Sequence, residues 1–134
     1  MRHALALAAL LALVTAPPAL AGDAATIAPE ALVERLAWGD RSLVVLDVRT
    51  PEEFAAGHVA GARNIPHTQI VERLVELGDA RERDVVVYCR SGTRSAIALE
   101  KLREAGFTRL YHLEGDWLRW SAEKLPAVMA PAQP

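Results

Sequence analysis

Runs of hydrophobic residues alternate along the chain with amphipathic stretches, and this alternation predicts buried strands separated by helices. Residues 42–47 (SLVVLD) and 84–88 (DVVVY) are continuous apolar runs, which are typical of strands buried on both faces of a sheet. Apolar residues recur with helical spacing at 29–38, 68–77 and 95–105. The pattern favours an α/β domain with a mostly parallel central sheet flanked by helices.

Capping signals mark several of the predicted helix boundaries. Thr50 can cap a helix, Pro51 fits its first position and Glu53 completes a capping box. Gly106 followed by Phe107 predicts a Schellman end for the helix before them. The remaining predicted elements are short strands at 62–65 and 109–113 and a last helical turn at 116–121.

The first 21 residues have the three-part pattern of a secretory signal peptide. A short basic start at 1–3 precedes an apolar run at 4–14, and Ala-Leu-Ala at 19–21 is a small-x-small cleavage site. The run is shorter than the roughly 20 residues of a membrane-spanning helix, so a membrane anchor or a core helix is the less favoured interpretation. No cysteine follows the run, which argues against a lipoprotein.

We therefore expect an exported protein, periplasmic or else secreted, with no membrane attachment after cleavage. The predicted organisation is a signal peptide at 1–21, a linker at 22–26, a single domain at 27–128 and a C-terminal tail at 129–134.

Composition excludes several classes of function. The chain has 134 residues with a formal net charge of −2 and a pI near 6.1, which argues against nucleic-acid and anionic-membrane partners. Its one cysteine cannot form an internal disulfide or a four-cysteine metal site. Because His58, His67 and His112 have no ligand-like spacing, we predict no metal site and no cofactor.

The candidate chemistry lies at Cys89, which directly follows the second buried strand, where parallel sheets bind ligands. A lone cysteine after such a strand is often only a buried small hydrophobic residue. Here, however, small, polar and basic residues follow it and lead into a helix, whose N-terminal amides and positive dipole end face the loop. Successive backbone N–H groups can form an anion nest, and Arg90 and Arg94 add positive charge. Such surroundings favour an exposed thiolate nucleophile that the local field activates, since no histidine is adjacent in sequence.

Several motifs, in their order and spacing, resemble a single-domain rhodanese. The motifs are DVRTPEEF at 47–54, GHVAGA at 57–62, NIP at 64–66, YCRSGTRS at 88–95, LEGDWLRW at 113–120 and LP at 125–126. Together they span about residues 27–128. The chain departs from the family pattern at Asp116, where the ending usually carries a second glycine.

The resemblance implies a sulfurtransferase, in which Cys89 takes the outer sulfur of a donor such as thiosulfate and passes it from a persulfide to a thiol or to cyanide. It also implies that the loop amides hold the anionic sulfur and that two arginines orient the donor. The implied substrate-binding residues are Arg90, Ser91, Gly92, Thr93 and Arg94. The residues predicted to support the site structurally are Asp47 and Arg49, as an ion pair, with His58 and Ser95. Trp117 or Trp120 is a further candidate for the pocket wall.

Two other functions remain open at this point. A phosphatase or arsenate reductase of similar fold has its cysteine and arginine one residue further apart, in a loop that fits a tetrahedral oxyanion, whereas four residues separate Cys89 from Arg94. A non-catalytic rhodanese-like binding or regulatory module usually lacks the cysteine, which this chain retains.

Overall fold

The computed structural model describes residues 24–129, so the predicted signal peptide lies outside the described residues. The strands are β1 (Ala25–Ile27), β2 (Leu43–Asp47), β3 (His58–Val59), β4 (Arg63–Asn64), β5 (Asp84–Tyr88), β6 (Leu110–Leu113) and β7 (Ala127–Val128). The α-helices are α1 (Pro29–Ala37), α2 (Pro51–Ala56), α3 (Thr93–Glu104) and α4 (Asp116–Ala122). Within the described range, no helix combines the length and apolar character needed to cross a membrane.

The predicted parallel sheet is confirmed, with β5 at its centre. Five strands lie in the order β1-β6-β5-β2-β4, and every neighbouring pair is parallel. Strands β3 and β7 form a separate antiparallel pair. Because the carboxyl ends of parallel strands share one edge, the residues after β2, β5 and β6 meet there, and this edge carries the candidate site.

Both faces of the sheet are covered, as the continuous apolar runs predict. All residues of β2 and β5 are buried. Val85 and Val87 pack on one face with residues of α3, among them Leu102. Val86 and Tyr88 pack on the other face with a core that includes the fully buried Trp120. Burial of these side chains holds β5, and therefore the residue that follows it, in a fixed position.

The predicted helix boundaries at Thr50 and Gly106 are also confirmed. The Thr50 hydroxyl accepts a hydrogen bond from the Glu53 backbone N–H, and the Glu53 side chain accepts one from the Thr50 N–H, which completes the capping box. At the end of α3, the Phe107 N–H donates to the Leu102 carbonyl and the Gly106 N–H to that of Arg103. These two bonds form the Schellman motif.

The continuous helix predicted at 68–77 is wrong. The segment instead contains separate 3₁₀ turns at His67–Gln69 and Leu74–Leu77, and neither turn has a side-chain cap. Ile70 is buried as expected, but Val71 is 62% exposed. Leu77 is also buried and Leu74 packs against the core, but neither turn is capped, and helical spacing alone does not make so short a segment a continuous helix.

The ends of the domain also differ from the prediction. Ala25–Ile27 pairs with β6 at the edge of the main sheet, so residues 25 and 26 are not part of a linker. Strand β7 pairs with β3, and neither strand was predicted. Strands of two or three residues are too short to show a hydrophobic period, so only their pairing partners reveal them.

Candidate active site

Cys89 follows the last residue of β5, and its sulfur lies on the floor of the loop that leads into α3. The residue is 1% exposed, which corrects the expectation of an exposed thiolate. The Gly92 N–H donates a hydrogen bond to Cys89 Sγ over 3.0 Å. Gly92 has φ +117°, in the left-handed region that favours glycine, and this conformation brings its amide back over the sulfur. The loop therefore supplies a donor that stabilises negative charge on the sulfur.

The predicted substrate-binding residues differ in their exposure. Arg90, Ser91 and Thr93 are exposed and form the rim of the loop, while Gly92 and Arg94 are half-buried. Arg90 makes no ion pair with any part of the chain that the structure describes. Its charge is therefore available to an anion that approaches the loop.

Arg94 is held by a carboxylate from another part of the chain. Its Nη1 and Nη2 atoms donate to the two Glu53 carboxylate oxygens over 2.6 and 3.0 Å. The hydrogen bond to Arg94 lowers the pKa of Glu53 to about 2 against the opposing effect of burial, and the same bond raises the pKa of Arg94. Arg94 thus has a fixed orientation, but part of its charge is already compensated.

Asp116 is a buried carboxylate directly behind the loop. It is 2% exposed. Its Oδ1 accepts hydrogen bonds from the Cys89 N–H over 2.9 Å and from Ser95 Oγ over 3.0 Å. Its Oδ2 lies 2.9 Å from His112 Nε2. The backbone of Asp116 has φ +51°, a left-handed conformation that aspartate tolerates better than most residues.

Sequence reasoning treated Asp116 only as a departure from the family's usual glycine and missed His112 as its partner. The two residues are four apart and lie on either side of the end of β6. The replacement of a glycine by an ionisable residue beside a predicted site was the one signal that could have identified them.

Ser95, predicted as a supporting residue, touches the sulfur itself. Its buried Oγ lies 3.2 Å from Cys89 Sγ and 3.1 Å from the Gly92 carbonyl oxygen. The hydroxyl therefore connects the cysteine to both the loop backbone and Asp116.

The start of α4 fixes the loop backbone. The Trp117 N–H donates to the Cys89 carbonyl over 3.0 Å, and the Leu118 N–H donates to the Arg90 carbonyl over 3.2 Å. These bonds hold the main chain after the Cys89 α-carbon, and the bond from the Cys89 N–H to Asp116 holds it before, so the sulfur has a defined position.

Asp47 and Arg49 form a buried ion pair, with 2.6 Å between Asp47 Oδ2 and Arg49 Nη2. Burial disfavours the charge on Arg49, but the hydrogen bond and charge of Asp47 outweigh it and raise its pKa. The guanidinium lies over the rings of Trp117 and Tyr88, with 4.7 and 5.6 Å to their centroids. The pair therefore braces the edge of the sheet beside the loop.

The other predicted residues have local structural contacts. His58 Nδ1 lies 2.8 Å from the Phe54 carbonyl oxygen, and its ring stacks on Phe54. Trp117 packs against Gly57 and Arg49, whereas Trp120 is fully buried in the core.

No group of three or more histidine, cysteine or acidic residues in the described range could hold a metal ion.

A family model and individual relatives among known proteins agree on one family for this chain. A family model described as "Rhodanese-like domain" matches residues 28–123. A protein from Allochromatium vinosum named "Sulfurtransferase" is 40% identical over 99 residues, which cover 74% of this chain and 90% of that protein. A "Putative thiosulfate sulfurtransferase, mitochondrial" from Schizosaccharomyces pombe is 38% identical over 95 residues, or 62% of this chain and 66% of that protein.

Among solved structures, the Alr3790 protein from Anabaena sp. superimposes with a TM-score of 0.71 and 30% sequence identity, covering 78% of this chain and 81% of that one. The fold, the loop around the single cysteine and these relatives agree with one another. The chain belongs to the rhodanese-like family and has sulfurtransferases among its relatives.

Proposed function

We propose that this protein moves a sulfane sulfur from thiosulfate, or a similar small anionic donor, to a thiol or to cyanide through a persulfide on Cys89. The observation that carries the proposal is the hydrogen bond from the Gly92 N–H to Cys89 Sγ at the floor of a loop with Arg90 on its rim. The name of the yeast relative supports thiosulfate as the donor.

In the first half-reaction, the Cys89 thiolate attacks the outer sulfur of thiosulfate. A sulfur–sulfur bond forms to Cys89, and the bond to the inner sulfur breaks. Sulfite leaves with the electron pair of that bond, and Cys89 keeps a persulfide whose outer sulfur is anionic. The Gly92 amide stabilises negative charge on the sulfur, and Arg90 on the rim, together with the half-buried Arg94, attracts the doubly charged donor.

In the second half-reaction, the acceptor attacks the outer sulfur of the persulfide. With a thiolate acceptor, the product is a new persulfide, and the electron pair of the broken bond returns to Cys89 as a thiolate. No external oxidant or reductant is needed. Because the attacking group is already an anion in both halves, the Cys89 thiolate first and a thiolate or cyanide next, no group has to act as a base on a substrate.

Loop size favours sulfur over an oxyanion ester as the transferred group. Four residues separate Cys89 from Arg94, and the Gly92 amide already lies within hydrogen-bond distance of the sulfur. This spacing leaves room for one additional sulfur atom more readily than for a tetrahedral phosphoryl group.

We further propose that the protein is exported and acts in the periplasm, from the three-part pattern of residues 1–21. Expression of the full chain in a bacterial host, followed by fractionation and N-terminal sequencing, should find a periplasmic chain that begins at Gly22. An uncleaved chain in the membrane fraction would indicate an anchor instead.

The kinetic test of the proposed activity measures thiocyanate formed from thiosulfate and cyanide. Initial rates with both substrates varied should give the parallel double-reciprocal lines of a ping-pong mechanism, because sulfite leaves before cyanide reacts. Cys89→Ser should be inactive, and Arg103→Ala, on the solvent side of α3, should retain full activity. Intersecting lines, or activity in Cys89→Ser, would contradict the persulfide mechanism.

A further inference from the structure

The Cys89 sulfur lies at one end of a row of polar side chains that the proposed sulfur chemistry does not use. Ser95 Oγ is 3.2 Å from Cys89 Sγ and 3.0 Å from Asp116 Oδ1. The other Asp116 oxygen, Oδ2, is 2.9 Å from His112 Nε2. The row therefore connects the sulfur to a partly exposed imidazole through two hydrogen-bonded side chains.

The Ser95 hydroxyl has a single proton to donate, and more than one acceptor competes for it. When Ser95 donates to Asp116, or to the Gly92 carbonyl, its oxygen faces the sulfur as an acceptor, which suits a protonated thiol. When Cys89 is a thiolate, the hydroxyl must turn toward the sulfur, because a thiolate has no proton to offer. The negative charge on Asp116 therefore competes with the thiolate for the Ser95 proton.

The charge on Asp116 is poorly screened by water because the residue is buried, so its compensation depends on His112. The hydrogen bond to Asp116 raises the pKa of His112 against the opposing effect of burial, and the charges of Asp116 and Glu114 raise it further. A protonated His112 makes the His112–Asp116 pair neutral overall. A neutral His112 leaves one negative charge two hydrogen bonds from the sulfur.

Other charged groups also face this row. Arg94 acts on Cys89 from α3, and its charge is shared with Glu53 from α2. Glu114 acts on His112 from the end of β6. Histidine is the side chain among these whose ordinary titration falls near neutral pH, so the proton on His112 is what changes the charge near the sulfur.

We propose that Asp116 and His112 are positioning residues that set the protonation state of Cys89 through Ser95. A protonated His112 makes the pair neutral, which favours the thiolate over the thiol. A neutral His112 leaves an uncompensated carboxylate, which favours the thiol. The inference deepens the proposed function, because it concerns the atom that would carry the transferred sulfur.

The test is a pH titration of the thiolate absorbance near 240 nm, with no sulfur donor present. The chain has one cysteine, so the signal belongs to Cys89 alone once the curve of Cys89→Ser is subtracted to remove the two tyrosines. Asp116→Asn keeps the size of the side chain and suits the left-handed backbone, but removes the charge. His112→Gln keeps a hydrogen-bond donor but cannot become protonated.

The two variants should move the titration midpoint in opposite directions. Below the midpoint, Asp116→Asn should raise the thiolate fraction about tenfold and His112→Gln should lower it by a similar factor. In the Asp116→Asn background, His112→Gln should have little further effect, since no carboxylate remains to be compensated. His67→Gln, which changes a histidine outside the row, should leave the midpoint in place.

Midpoints that stay in place, or that move in the same direction in both variants, would overturn the inference. If Asp116→Asn does not fold, Asp116→Gly removes the same charge at a backbone conformation that glycine adopts freely, and the same upward change in thiolate fraction is expected. The titration needs no donor, so opposite shifts without thiosulfate-dependent activity would refute the proposed function while supporting this inference.

Discussion

Two carboxylates from distant parts of the chain hold the two ends of the Cys89 loop, and they differ in almost every physical respect. Asp116 is buried, has a left-handed backbone and holds the Cys89 N–H and the Ser95 hydroxyl. Glu53 is partly exposed on α2 and holds the Arg94 guanidinium. The first carboxylate contacts the neighbours of the sulfur, whereas the second contacts the cation expected to meet the donor.

The two carboxylates act on two different properties of the proposed site. One property is the charge close to the sulfur, and the other is the attraction of the loop for an anionic donor. Asp116 adds negative charge close to the sulfur and can therefore oppose thiolate formation, unless His112 compensates it. Glu53 compensates a positive charge at the other end of the loop and so moderates how strongly that end attracts an anion. Loss of Asp116 should therefore affect stability and the sulfur, and loss of Glu53 should affect donor binding and acid stability.

The largest expected effect is on stability and comes from Asp116→Ala. The change leaves the buried Cys89 N–H without its acceptor and places alanine at φ +51°, so we expect the free energy of unfolding to fall by about 3 kcal/mol. Glu53→Ala removes a partly exposed ion pair and should cost about 1 kcal/mol. Urea unfolding of both variants measures the difference.

The matched control for Asp116→Ala is Asp116→Gly, which removes the same carboxylate without the backbone strain. It should recover about 1 kcal/mol of the loss. If Asp116→Ala and Glu53→Ala lowered the free energy of unfolding by the same amount, the two carboxylates would not differ in their contribution to stability as we expect.

The next effect is on donor binding and comes from Arg94→Ala. Removal of Arg94 leaves the Glu53 carboxylate uncompensated near the loop, so the KM for thiosulfate should rise about tenfold. The double variant Arg94→Ala with Glu53→Gln should recover part of this loss, because the repelling charge is gone. Arg103→Ala, which breaks a similar pair with Glu100 on α3, should leave KM unchanged. A KM within error of the parent protein in Arg94→Ala would remove this residue from donor binding.

The smallest effect is the acid dependence of stability. The pKa of Glu53 is lowered to about 2 from its ordinary 4.5, so its ion pair contributes stability above pH 4.5 that is lost as the pH falls toward 2. In Glu53→Gln, the loss of stability between pH 4.5 and pH 2 should be smaller than in the parent protein by about 1 kcal/mol. Thermal unfolding between pH 2 and 6 measures this loss. Glu52→Gln leaves the ion pair in place and should keep the parent's acid dependence, while an unchanged curve in Glu53→Gln would argue against the pair.

The central part of the fold could be predicted because its signals are local. The apolar runs of β2 and β5 and the capping box at Thr50 each depend on a few consecutive residues. The segment 68–77 has a helical period but forms separate turns, and β3 and β7 become visible only when they pair. These features depend on tertiary contacts, which a hydrophobic pattern does not contain.

The residues of the candidate site also divide into those that local sequence signals reveal and those that only tertiary contacts reveal. Cys89 and Arg94 could be found from their place between a buried strand and a helix. Glu53 was predicted only as part of a helix cap, although its carboxylate also holds a residue 41 positions later. Asp116 and His112 reach the cysteine through the packing of β6 and α4 beside β5, so spacing along the chain gave no measure of their distance from the sulfur.

The proposed mechanism requires Cys89 to carry the transferred sulfur, and intact-mass spectrometry tests this directly. After incubation with thiosulfate and removal of excess donor, the parent protein should gain about 32 Da per chain, the mass of one sulfur atom bound as a persulfide. Cys89→Ser should gain nothing, and cyanide should return the parent protein to its original mass. A parent mass that thiosulfate leaves unchanged, or an equal gain in Cys89→Ser, would contradict the account.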